Sequence, residues 1–527
     1  MPHTTKIFGP PGTGKTYWLL NKLQEEIAAG VPVRRIGYVT FSRAAKEEAM
    51  NRARARLDTL ADEDFRYFKT IHGICFAEVA MSRAHVMRTQ DFMEFGKACP
   101  VEFSNNYSED YDMDGYPVGW ANSPGNLIMN IRQVASAQKV SVFDPELIQS
   151  HWGDDTRHSE VKLVLERYAK FKEREARFDF VDMLEMYERT GEPLPIDVLF
   201  VDEAQDLSKL QWALIAKMSA KASRLYIAGD DDQSIYGFLG ADPYGFLDHP
   251  FDQKVLLRKS YRLQKRVWDY ARRIIGHVKR REPKSVDVGP GGAVQFWGSR
   301  FDPERVISGM PSQELTGSDS IMIIGSTNYA LSQIRSDMEK AGVPVMFKGQ
   351  SLADSPEAKQ FYWYHKARKG AEVPIVAAVN LAKTLKLPAA KDLAELSRLT
   401  PERKITPGEM NEMGVKFISN ISSIEYLSQS NRARAVNTGL YATASRFGLE
   451  AVVEPPKISL QTFHSCKGRE ADHTIILTDS SPRAMAYAER NPDYDQRLAF
   501  VGATRAKRQA NIIEHSTPYY MKGFRYV

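Results

Sequence analysis

Gly9-Pro10-Pro11-Gly12-Thr13-Gly14-Lys15-Thr16 is the stretch on which the reading of this chain turns. It fits G-x-x-x-x-G-K-[ST], a loop that cradles phosphates. Before it, Thr4 to Phe8 is predicted as a short strand. After it, Tyr17 to Ala29 is predicted as a helix, with Leu19, Leu20, Leu23 and Ile27 at helical spacing. Strand, glycine loop, helix is the setting such a loop requires. The glycines let backbone N–H groups turn inward on phosphate oxygens, and the helix N-terminus adds partial positive charge. Gly9 to Thr16 are therefore the expected nucleotide-binding residues. Lys15 is expected to reach the β- and γ-phosphates, and the Thr16 hydroxyl to hold Mg²⁺.

Working outward, the pattern around this loop is α/β. Arg35 to Phe41 is a second expected strand, followed by a helix capped by Ser42. Lys69 to Gly73 opens another apolar stretch. From about 81 to 170 polar and aromatic residues mix, turn signals cluster, and no strong strand is visible, which predicts a mostly helical insertion. Its last helix, about 158–175, is rich in Lys, Arg and Glu and is read as a solvated face. The α/β rhythm resumes with strands at Asp197 to Val201 and Arg224 to Ala228. Each ends in a polar cluster, Asp202-Glu203-Ala204-Gln205-Asp206 and Gly229 to Ala241. Strands of this kind point to a parallel sheet with its ligand at the carboxyl ends. Pro283 to Gly292 is a turn-rich boundary. Beyond it, strands are expected at Ala293 to Trp297, Ser320 to Ile324 and Pro344 to Lys348. A second helical stretch runs from 351 to 456, and strands at Ile458 to Phe463, His473 to Leu477 and Ala510 to Glu514 close the chain. No residue-level repeat relates the halves.

Bulk properties narrow the class. A chain of 527 residues, 43% hydrophobic and 26% charged, has ample apolar content for several domains with large cores. The net charge of +5 permits a nucleic-acid partner. Cys75, Cys99 and Cys466 are far apart, which argues against a disulfide framework and a zinc or iron–sulfur site. No apolar run is long enough to span a membrane and no signal peptide is evident, so the chain is expected to be cytoplasmic, without a membrane partner.

The pair Asp202-Glu203 at the end of an apolar strand carries chemistry. Phosphoryl transfer needs a carboxylate on the metal and a residue that positions the nucleophile. Asp202 suits the first role and Glu203 the second. Taken in order, the motifs resemble those of superfamily 1 DNA helicases of the UvrD/Rep/PcrA group. The resemblance rests on Gly9 to Thr16, Thr40 to Ala49, Thr70-Ile71-His72, Asp202 to Asp206, Gly229 to Ala241, Ser260-Tyr261-Arg262, Gln461 to Glu470 and Arg497 to Lys507.

That resemblance implies two RecA-like P-loop domains, parallel sheets flanked by helices, each with a mostly helical inserted subdomain. The expected boundaries are 1–80 and 171–280 for the first domain, with its insert at 81–170. For the second they are 281–350 and 457–527, with its insert at 351–456. It implies ATP and Mg²⁺ as cofactors. Gln233 would sense the γ-phosphate, Tyr261 would stack on adenine, and Glu470 would lie near the ribose. Arg262 and Arg505 would be arginine fingers, one on each side of the inter-domain cleft. Phe41, His72, Tyr236, Phe238 and His464 would contact single-stranded DNA, with aromatic faces stacking on bases.

The implied activity is ATP-driven 3′-to-5′ movement on single-stranded DNA with strand separation, on single-stranded and tailed duplex DNA, by a monomer. The alternative is a DNA-dependent ATPase that mainly displaces proteins, or serves a recombination or defence complex, with little unwinding. The chain departs from the group in three places. Only eight residues stand before Gly9, so the segment that reads the adenine edge in the group is expected to be missing and nucleotide selectivity to be looser. Leu239 stands where a basic residue is usual, and Arg469 where leucine is usual. The run Phe361 to Lys369 mixes aromatic and basic residues, and a packed helix with a solvated end is the preferred reading over a DNA contact.

Overall fold

The computed structural model describes residues 2–40, 47, 49–51, 54, 61–79, 82–103, 123–151, 158–308, 319–418 and 421–524. They divide into two compact units. The first comprises Met1–Gly292 with Pro482–Thr504 and Met521–Val527, and the second Ala293–Ser481 with Arg505–Tyr520. Each holds a parallel sheet flanked by helices, the architecture of two RecA-like α/β domains.

The first sheet is built from β1 (His3–Phe8), β2 (Ile36–Val39), β3 (Phe68–Lys69), β4 (Val198–Val201), β5 (Arg224–Gly229) and β6 (Gln253–Leu256). Its order is β3-β2-β4-β5-β1-β6, and every pairing is parallel. The central strands β2, β4 and β5 read as largely apolar runs because both faces are covered. Along β4, Val198 and Phe200 face Leu19, Leu20 and Leu23 of the helix Lys15–Ala28, whereas Leu199 and Val201 face Ile71, Leu184 and Leu214. Each such aliphatic burial contributes roughly 1.5–3 kcal/mol. A short parallel ribbon, β7 (Lys259–Gln264) with β8 (Asp287–Gly289), follows this sheet in the chain.

The first helical insertion has its own core, in which Phe95, Ile131, Val134, Val164, Tyr168 and Phe171 pack together. Its last helix, His158–Arg174, is not a wholly solvated face. Lys172 is only 11% exposed and pairs with Asp179 at 3.0 Å, and Arg132 reaches the same carboxylate at 2.9 Å. Asp179 in turn caps the helix Phe180–Thr190 in a reciprocal arrangement with Asp182. Two cations and a capping role thus draw charged residues of the insertion inward.

The second unit contains β9 (Ala293–Phe296), β10 (Ile321–Gly325) and β11 (Val345–Phe347). Next come a small antiparallel pair, β12 (Val373–Pro374) with β13 (Lys404–Ile405), and then β14 (Ile458–Thr462), β15 (Ala471–Leu477) and β16 (Ala506–Ile513). The large sheet runs β11-β14-β10-β15-β16-β9 and is parallel throughout. Ile323, Leu460 and Ile475 pack against Leu331, Ile334 and Met338 of the helix Asn328–Lys340. The second insertion packs around Phe361, Tyr364, Ile375, Ala378 and Leu440. Phe361 and Tyr364 are buried and the Tyr364 hydroxyl accepts from Ile418 N at 2.7 Å, whereas Tyr362 and Trp363 are only partly buried, so one side of the run packs into the core.

The expected boundaries kept 457–527 in one domain, and the compact units divide that stretch. Helix Pro492–Ala503 belongs with the first unit because it is buried from Tyr494 to Ala503, with Phe500 edge-on to Trp268 at 6.3 Å. No described helix is long and apolar enough to cross a membrane.

Candidate nucleotide-binding site

The loop leaves β1 and turns back into the helix Lys15–Ala28 over a glycine scaffold. Gly9 N donates to Gly229 O at 3.0 Å, which ties the loop to the end of β5. The Lys15 side chain lies across Gly9, its Nζ donating to Gly9 O at 2.9 Å. A Cβ at Gly9 would meet Lys15 Cγ at 2.0 Å, so this path exists only over glycine. Gly14, at φ 78°, is the left-handed N-cap of the helix. Strand β7 closes the other side: Tyr261 N donates to Gly12 O at 2.8 Å, and Ser260 Oγ to Pro11 O at 2.9 Å. Tyr261 is 76% exposed, its ring under Lys259 Nζ at 5.0 Å, so it offers an open aromatic face beside the loop. Arg262 follows, half-buried.

At the end of β4, Thr16 Oγ1 donates to Asp202 Oδ2 at 2.8 Å, and Glu203 N donates to Asp202 Oδ1 at 2.9 Å. Asp202 is 2% exposed. Burial, then the neighbouring Glu203 charge, pushes its pKa up to about 6. Glu203 sits in the left-handed region at φ 53°, a conformation a non-glycine residue keeps only when its surroundings impose it. Gln205 holds the Glu203 side chain, and the sequence reading gave it no role. Its Nε2 donates to Glu203 Oε2 at 2.6 Å and to Asp206 Oδ2 at 3.1 Å, while its Oε1 accepts from Asp230 N at 2.9 Å. Asp230 then accepts from Gln233 Nε2 at 2.7 Å. One chain of hydrogen bonds thus joins the residues expected for metal, water and γ-phosphate.

The donor set fits a small hard cation. The Thr16 hydroxyl and the Asp202 carboxylate are oxygen ligands of the kind Mg²⁺ takes, and they lie 2.8 Å apart. Among the described residues no group of three or more His, Cys, Asp or Glu could hold a metal. Mg²⁺ needs none, because it takes one or two carboxylates together with substrate phosphates.

Other expected residues stand elsewhere. In the second unit Arg505 is 1% exposed and its Nη1 donates to Arg469 O at 3.2 Å. Glu470 is exposed and pairs with Lys507 at 2.9 Å, and His464 is half-buried. In the first unit His72 is 5% exposed and edge-on to Phe180, and burial pulls its pKa down to about 4. Phe238 is also buried, 6.3 Å from the Tyr494 ring. Neither His72 nor Phe238 presents the open ring face expected of a stacking residue, because Phe180 and Tyr494 pack against them. Tyr236 is half-buried. Phe41 lies outside the described residues.

Residues 2–253 match the family model of the UvrD/REP helicase N-terminal domain. The chain is similar to "ATP-dependent DNA helicase PcrA" of Staphylococcus epidermidis strain RP62A, 24% identical over 406 residues, 72% of this chain and 54% of that protein. It is similar to the same-named protein of Staphylococcus aureus strain Mu50, 22% identical over 404 residues, 72% of this chain and 53% of that one. The chain spans about half the length of these curated relatives.

Proposed function

We propose, on the premise that this chain is a superfamily 1 protein of the UvrD/Rep/PcrA type, that it hydrolyses ATP to move 3′-to-5′ along single-stranded DNA and separate duplex. The observation that carries the reading is the continuous bonded path Thr16, Asp202, Glu203, Gln205, Asp230, Gln233 beside the phosphate loop. Backbone N–H groups of the loop and Lys15 hold the triphosphate. Thr16 and Asp202 hold Mg²⁺, which when bound neutralises charge on the phosphate oxygens. Glu203, fixed by Gln205, orients the attacking water and accepts its proton. Gln233 donates to the γ-phosphate, Tyr261 stacks on the base, and Arg262 and Arg505 act as arginine fingers. Glu470 lies by the ribose. Tyr236 and His464 contact DNA, and the packed His72 and Phe238 shape the loops that do so.

The test is ATP hydrolysis with and without single-stranded DNA, followed by strand displacement on matched 3′- and 5′-tailed duplexes at one salt concentration. Stimulation by DNA and separation of the 3′-tailed duplex are expected. A preference for the 5′ tail would overturn the polarity.

A further inference from the structure

Three consecutive aspartates, Asp230, Asp231 and Asp232, sit in the first unit at no more than 1% exposure each. Three buried carboxylates in a row are costly unless cations meet them. One side chain meets all three. Lys284 Nζ lies 2.7 Å from Asp230 Oδ1, 2.5 Å from Asp231 Oδ1 and 2.8 Å from Asp232 Oδ2, and Lys284 is itself 1% exposed. Arg281 adds a bidentate pair to Asp232 at 2.8 and 2.6 Å, and Glu282 N donates to Asp231 Oδ2 at 2.9 Å. Burial pulls the Lys284 pKa down, but the aspartates outweigh it and hold it above its ordinary value.

The place of Lys284 in the chain gives this cluster a meaning. It lies in the stretch 259–291, which begins at β7. At that end the stretch bonds the phosphate loop through Ser260 and Tyr261. At the other end Lys284 grips Asp230, the acceptor of the Gln233 amide. One oxygen of Asp230, Oδ1, faces Lys284, while the other, Oδ2, faces Gln233. A carboxylate held from one side is fixed in rotation, and so is the amide it receives from the other.

We propose that Lys284 is a positioning residue that sets the orientation of Gln233 through Asp230, so that the stretch carrying Tyr261 and Arg262 also governs the response to the γ-phosphate. This rests on the reading of Gln233 given above. A residue that only stabilises the fold would weaken triphosphate and diphosphate binding together. A residue that aims Gln233 affects the triphosphate alone.

The experiment compares affinities for a fluorescent ADP and a slowly hydrolysed fluorescent ATP analogue, together with kcat and KM for ATP in the presence of DNA. Lys284→Met alone removes the one cation that meets all three carboxylates and can unfold the chain. The working variant is therefore Lys284→Met with Asp231→Asn, which removes one charge of each sign, with Asp231→Asn as its control. The preference for triphosphate and kcat should each fall about tenfold relative to the control, with the ADP affinity unchanged. Adding Gln233→Ala should then cost less than about twofold more, because both changes remove one interaction. Equal fold-losses with and without Gln233→Ala, or an unchanged preference for triphosphate, would overturn the role of Lys284. Wild-type protein that fails to bind either nucleotide would instead overturn the proposed function, and this inference with it. Wild-type behaviour of Gln233→Ala alone would remove Gln233 from γ-phosphate sensing, and the role of Lys284 with it.

Discussion

At the scale of single residues, the site sets charge against burial. Asp202 is buried beside Glu203, and its pKa is raised to about 6. A carboxyl raised in the folded state contributes stability that is fully present below its unfolded value of about 4 and is lost as pH rises through about 6. Asp202→Asn removes that penalty. In metal-free buffer the variant should match wild type near pH 4 and be more stable by about 3 kcal/mol at pH 8, read by urea unfolding across that range. It should also be inactive, since stability at this position competes with metal binding. Glu203→Gln should still bind ATP and lose at least about 10²-fold in DNA-stimulated turnover, the scale of a lost general base. Lys15→Ala should lose nucleotide binding itself. Hydrolysis by Glu203→Gln at the wild-type rate would remove Glu203 from the water-positioning role.

Elements, rather than residues, decide how tightly the loop is held. Gly12 sits at φ 72°, and a Cβ there would stand 2.4 Å from Arg262 Cβ and 2.9 Å from Ser260 Oγ. The nearest atoms belong to strand β7, which cannot retreat without releasing Gly12 O and Pro11 O. Gly12→Ala should therefore cost about 1–3 kcal/mol from strain alone and loosen nucleotide binding, measured by unfolding and by titration with a fluorescent nucleotide. The helix Phe180–Thr190 depends on its cap in a comparable way. Asp179 accepts from Arg132, Lys172 and the Tyr168 hydroxyl, all within 3.0 Å. Burial pushes its pKa up, but Arg132 and Lys172 outweigh this and hold it at about 2. Asp179→Ala removes the helix cap and one of the two carboxylates, Asp179 and Asp182, that Arg132 and Lys172 share, and should destabilise the first unit by about 1–3 kcal/mol. An effect below about 1 kcal/mol would mean that the cations find other partners.

For the whole molecule, the proposed activity draws on residues from both compact units. Arg262 belongs to the first and Arg505 to the second. An arginine finger is worth roughly 10³ to 10⁵ in turnover. Replacing either by Ala should cut DNA-stimulated hydrolysis strongly while ATP affinity changes much less, and a loss below about tenfold would argue against the role. Tyr236→Ala should weaken strand separation more than basal hydrolysis, because a stacked base is worth about 1–3 kcal/mol.

Sequence alone determined the parts of this protein that are local in the chain. The phosphate loop, the strand before it and the helix after it are specified by neighbouring residues, as are the apolar strands ending in polar clusters. The α/β class followed from short apolar strands ending in polar clusters, and the first helical insertion was expected from clustered turn signals and the lack of a strong strand. Tertiary structure decided what depends on distant partners. Gln205 lies inside a motif, yet its bond to Asp230 joins residues 25 apart. Lys284 lies in a turn-rich boundary that carries no motif, and only folding brings its cation onto three aspartates more than fifty residues earlier. His72 and Phe238 have the residue types of base-stacking groups, but Phe180 and Tyr494 pack against them. Burial and pairing are properties of the packed chain, set by atoms that the sequence separates and the fold brings within a few ångströms.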